Sequence, residues 1–70
     1  MKDLKEILRK AYDRGFNDAT NGYDGPDMAD IADLVLEATT DDMETAEYQS
    51  RARQVADSYA NGYDAGKETK

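Results

Sequence analysis

The sequence predicts an all-α fold, a small three-helix domain, on three observations. Apolar residues recur every three to four positions in three separate stretches, turn-forming residues divide those stretches, and no segment alternates with the period of two that a strand requires. Seventy residues form one domain, 1–70, and leave no room for a second core, a dinucleotide-binding sheet or a barrel.

Leu4, Ile7, Leu8, Ala11, Tyr12, Phe16 and Ala19 form the stripe of an amphipathic first helix. Asn21-Gly22 supplies a left-handed stop, and Pro26 denies Gly25 a helical conformation, so this helix ends by about residue 21. Asp27, or Asp24 ahead of the proline, caps a short second helix whose Met28, Ile31, Ala32, Leu34, Val35 and Ala38 share one side. Thr39-Thr40-Asp41-Asp42 carries four side chains that compete for backbone amides, which breaks the second helix and starts a third near Asp41. Met43, Ala46, Ala52, Val55, Ala56, Tyr59 and Tyr63 give the third helix a looser stripe, with Tyr48 on its flank.

Tyr12-x-x-Gly15-Phe16-x-x-Ala19 recurs as Tyr59-x-x-Gly62-Tyr63-x-x-Gly66. Glycine within a helix costs about 1 kcal/mol relative to alanine, so the repeat predicts that the first and third helices cross there, with Tyr12, Phe16, Tyr59 and Tyr63 around the contact. For Gly62 and Gly66 the alternative is that they only loosen the last turns of the helix. Tyr12, Tyr59 and Tyr63 are expected at the edge of the core, and Tyr23 and Tyr48 on a contact surface. Leu36 lies away from the Ile31 and Val35 side and points to a partner groove or a homodimer.

Arg9-Lys10-Ala11-Tyr12-Asp13-Arg14-Gly15-Phe16, on to Gly22, followed by Tyr48-Gln49 and Tyr59-x-x-Gly62-Tyr63, resembles the ribosome modulation factor family over about half the chain. That likeness implies two helices packed through small and aromatic residues and association with the ribosome, where Lys2, Lys5, Arg9, Lys10 and Arg14 would contact RNA. The chain departs from the family pattern in its long 24–47 linker and its acidity.

Sixteen acidic residues against nine basic ones give a net charge of −7. The charge is segregated: +2 over residues 1–14, −10 over 15–50 and +1 over 51–70, with no lysine or arginine between Arg14 and Arg51. Direct binding to nucleic acid or an anionic membrane is therefore disfavoured, and the expected partner is a basic protein that itself handles nucleic acid. Asp27, Asp30, Asp33 and Glu37 fall on one helical face, spaced about 5–6 Å apart like backbone phosphates, and Asp24, Asp41, Asp42, Glu44 and Glu47 extend that surface. A solvated face serving solubility is the plain alternative.

Without histidine or cysteine the chain lacks imidazole bases, thiol nucleophiles and zinc ligand sets, and no arrangement of carboxylates marks a catalytic centre. An EF-hand centred on Gly22 fails, because Ala19 and Met28 would occupy ligand positions. The sequence thus predicts no enzyme, no cofactor and no metal. No apolar run nears the roughly 18 residues a membrane span needs, and the charged start is unlike a signal peptide, so the protein is expected in the cytoplasm. Three functions follow as expectations: a DNA-mimicking inhibitor with the size and charge of phage anti-CRISPR proteins, a ribosome-associated modulator, and a dimeric accessory protein.

Overall fold

A computed structural model describes residues 3–22 and 25–69. The described residues form three helices, α1 (Leu4–Thr20), α2 (Met28–Ala38) and α3 (Thr45–Glu68), and no strand. At 1.5 Å per residue the 24-residue α3 is about 36 Å long, and it runs along a molecule whose longest dimension is 41 Å.

Three of the helix ends are closed by specific bonds. The Asp3 carboxylate accepts the Lys5 amide at 3.0 Å and caps α1. At the other end Gly22 takes a φ of 86°, and its N–H reaches the Ala19 carbonyl at 3.2 Å, closing the helix with the left-handed residue expected there. Of the two candidates for the α2 cap, Asp27 does the work, accepting the Ala29 amide at 3.0 Å. The third helix begins at Thr45, later than the sequence pattern predicts. Asp41 and Asp42 instead sit inside a turn closed by the Met43 amide on the Thr40 carbonyl at 3.2 Å, which consumes the residues expected to open the helix. Once begun, α3 is continuous through Ser58.

The α1–α3 contact dominates, and α2 packs across both. Gly62 lies against the Tyr12 backbone and Gly66 against Phe16 and Ala19, so α1 and α3 run parallel. The return stroke is α2, which is antiparallel to α1: Arg14 meets Asp30 and Lys10 meets Glu37. Ile7, Ala11, Ala19, Leu34, Ala38, Val55, Tyr59 and Tyr63 form the core, with Leu4, Leu8, Ile31 and Val35 packed against it.

The repeated motif is the crossing itself. A Cβ placed on Gly15 would strike the Tyr59 carbonyl oxygen, one on Gly62 would strike the Tyr12 carbonyl oxygen, and one on Gly66 would come within 2.7 Å of the Phe16 carbonyl oxygen. Gly62 and Gly66 thus lie buried at the contact inside α3 and do not mark a loosened end. The rings behave less symmetrically than expected. Tyr59 is wholly buried, beyond the core edge assigned to it, and stacks on Tyr63 with ring centroids 6.4 Å apart, while the Lys67 ammonium covers Tyr63. Tyr12 is 41% exposed: its backbone makes the contact with Gly62, and its ring projects outward. The start of α2 reaches the Tyr59 hydroxyl through the Asp27 amide, which puts cover over that ring.

Candidate acidic and apolar binding surface

The acidic residues divide into carboxylates held by the fold and carboxylates that face solvent. Asp18 belongs to the first group. It is 5% exposed, lies on the buried stripe of α1 with Ala11, Gly15 and Ala19, and accepts a hydrogen bond from the Tyr59 hydroxyl. That hydroxyl accepts in turn from the Asp27 amide at 2.9 Å, tying α1, the α2 cap and α3 together through one oxygen. Burial and the bond to Asp18 push the Tyr59 phenol up from 10.0 to about 12, with the Asp27 amide pulling the other way.

Asp27 is occupied with capping, and Asp30 and Glu37 turn toward α1. Arg14 Nη1 lies 2.9 Å from Asp30 Oδ1, and Lys10 Nζ lies 3.1 Å from Glu37 Oε1. Part of the carboxylate face predicted on α2 therefore joins that helix to α1. The same pairs occupy Lys10 and Arg14, two of the bases that a ribosomal role would present to RNA. Asp18, Asp27 and Asp30 bring carboxylate oxygens within 4.8 Å of one another, the one grouping of metal-ligand type among the described residues. Each already has a protein donor: the Tyr59 hydroxyl, the Ala29 amide and the Arg14 guanidinium. The sequence signal for this knot was an aspartate three residues after Gly15 on an otherwise apolar stripe, and sequence reading missed it.

Within residues 27–47 the second group comprises Asp33 on α2, Asp41 and Asp42 in the α2–α3 turn, and Glu44 and Glu47 at the start of α3, all exposed. Glu47 pairs with Arg51 one turn on, at 3.3 Å, and Arg51 also donates to the Ala38 carbonyl at 3.2 Å. Asp33, Asp41, Asp42 and Glu44 form no ion pair among the described residues. Glu44 and Glu47 have a local reason to be acidic, because negative charge at a helix N-terminus opposes the macrodipole, worth about 0.3–1 kcal/mol. Asp41 and Asp42 serve the turn that precedes α3, and Asp33 has neither reason.

A shallow concavity of about 410 Å³ opens beside these carboxylates, where the end of α2 meets the start of α3. Leu36, Met43 and Tyr48 supply its apolar lining, and Thr39, Thr40, Thr45 and Asp41 line the rest. Leu36 is 70% and Tyr48 42% exposed, as the sequence pattern anticipates for both. Tyr23 and Asp24, the other predicted contact residues, lie outside the described residues.

No helix among the described residues is long and apolar enough to cross a membrane. No family model, curated protein or solved structure matches the chain. The likeness to the ribosome modulation factor family thus rests on its motif residues alone.

Proposed function

We propose that this protein is a non-enzymatic acidic binding module that occupies the basic surface of a nucleic-acid-handling protein, in the manner of a DNA mimic, and acts in the cytoplasm. One observation carries this reading. After the fold has used Asp18, Asp27, Asp30 and Glu37, the carboxylates of Asp33, Asp41, Asp42 and Glu44 remain exposed in a stretch of chain that holds no lysine or arginine. Complementary charge speeds encounter with a basic groove, and carboxylate pairs with lysine and arginine there replace phosphate pairs, so the target is inhibited by competition.

The test is affinity capture from cell lysate at low and high salt, comparing the wild type with a variant carrying Asp33→Lys, Asp41→Lys, Asp42→Lys and Glu44→Lys. A basic nucleic-acid-binding protein retained at low salt, displaced by added DNA and lost with the variant is the expected result. Undiminished capture by the variant overturns the reading.

A second reading, ribosome association, is favoured by Lys5 and Arg9, which remain exposed on α1. Under it, ribosomal RNA and proteins are captured equally by both versions and lost on reversal of Lys5 and Arg9.

A further inference from the structure

We propose that the concavity between the end of α2 and the start of α3 binds a basic amphipathic helix of the partner protein, with an apolar face on Leu36, Met43 and Tyr48 and flanking lysines or arginines on the surrounding carboxylates. This rests on the acidic-module reading and narrows it, since a pure phosphate mimic needs no apolar seat.

Four large apolar side chains are exposed among the described residues, and two of them, Leu36 and Tyr48, converge on this one concavity with Met43 beside them. Leu36 stands in the last turn of α2, across the helix from the buried Leu34 and Ala38. No described element covers it, so its exposure is a cost that a partner removes.

The rim decides the occupant. Asp41 lines the concavity, Asp42 and Glu44 are its exposed neighbours in the chain, and the nearest base in sequence, Arg51, is engaged with Glu47 and the Ala38 carbonyl. A second copy docked face to face here would oppose two rims of the same sign, and an anionic lipid or nucleic acid would meet the same repulsion. A helix with apolar anchors at i, i+3 and i+4 and a basic border satisfies both halves of the site, which is the helix-in-groove mode of recognition.

The test uses three synthetic peptides of about twelve residues with the full-length protein, read by fluorescence anisotropy at about 150 mM salt. One is an amphipathic Lys/Leu helix, one its scrambled isomer without an apolar face, and one an oligolysine of equal charge. The amphipathic peptide is expected to bind about tenfold more tightly than the other two. Leu36→Ser and Tyr48→Ser should each remove most of that margin while leaving oligolysine binding unchanged. Both positions are exposed, and circular dichroism of the variants checks that the helices persist. If all three peptides bind equally and Leu36→Ser has no effect, the apolar seat is refuted and the acidic module stands. If none binds even at low salt, the acidic reading falls as well. Self-association abolished by Leu36→Ser would assign the concavity to a second copy and overturn the proposal.

Discussion

Gly15 and Gly62 stand in a reciprocal relation: each lacks a side chain where the other helix presents a carbonyl, that of Tyr59 for Gly15 and that of Tyr12 for Gly62. Tyr12 and Tyr59 are themselves the equivalent residues of the repeated motif. The two helices therefore meet as near-copies in parallel, each glycine receiving the backbone of the other's tyrosine. A contact between peptide backbones cannot give way as a flexible side chain can, which is why both copies keep the glycine despite its cost in helix propensity.

Alanine at either glycine is expected to destabilise the protein by about 2–3 kcal/mol, because overpacking against backbone outweighs the ~1 kcal/mol gained in propensity. The double variant should cost less than the sum, by about 1 kcal/mol, since separating the helices once relieves both clashes. Urea unfolding followed by circular dichroism measures all three. Neutral single variants, or strict additivity, would show that the helices do not touch in this way.

The turn between α1 and α2 offers a contrast between two glycines of different standing. Gly22 holds a φ of 86°, a conformation that costs an L-residue about 1 kcal/mol, so Gly22→Ala should destabilise by about that amount. Gly25 has open space around its α-carbon. Gly25→Ala should be neutral or stabilise by up to about 1 kcal/mol, through reduced freedom of the unfolded chain. Equal effects of the two substitutions would refute the assignment of Gly22 as the left-handed residue.

The helices, their order and the crossing were legible because local chemistry writes them: Asn21-Gly22 as a stop, Asp27 as a cap, and a glycine repeated at one offset beside aromatic residues. What stayed hidden depends on packing between distant parts of the chain. Tyr12 and Tyr59 are equivalent in the motif, yet one ring is exposed and the other is buried where the α2 cap and Asp18 meet its hydroxyl. The bond from Tyr59 to Asp18 spans 41 residues. The pairing of Arg14 with Asp30 and Lys10 with Glu37 follows from the antiparallel register of α2, so a face that reads as uniformly acidic is in part an interface within the molecule. Asp41 and Asp42 serve a turn as readily as a cap, and the turn won.

Those ion pairs separate stability from binding. Reversal of Asp30 and Glu37 to lysine removes two attractions, each worth about 0.2–1 kcal/mol for a partly exposed pair, and sets like charges against Arg14 and Lys10. The double variant is expected to lose about 1–2 kcal/mol of stability, and less at high salt. Reversal of Asp33 and Asp41, which make no such pair, should leave stability within about 0.5 kcal/mol while weakening capture of a basic partner. Urea midpoints at two salt concentrations, set beside the capture experiment, check both halves. A destabilised Asp33/Asp41 variant would contradict the division of carboxylates drawn from the geometry.

The Tyr59 hydroxyl makes the folded protein lose stability at alkaline pH. Its pKa is about 12 in the folded protein against 10.0 when unperturbed, because burial and the Asp18 carboxylate penalise the phenolate. The unfolded chain therefore releases this proton first, and the bound proton's contribution is fully present below pH 10 and lost as pH rises through 12. Two pKa units correspond to about 2–3 kcal/mol, so the urea midpoint should fall across this interval. Tyr59→Phe removes the titrating group and flattens the fall, but leaves the buried Asp18 carboxylate without this donor and the Asp27 amide without its acceptor. It is expected to cost about 2–3 kcal/mol at neutral pH. The wild type and the variant should then approach each other in stability as pH rises toward 12. Parallel profiles over pH 10–12 would mean that the hydroxyl does not titrate with unfolding, and that the oxygen joining α1, the α2 cap and α3 is not held as the geometry places it.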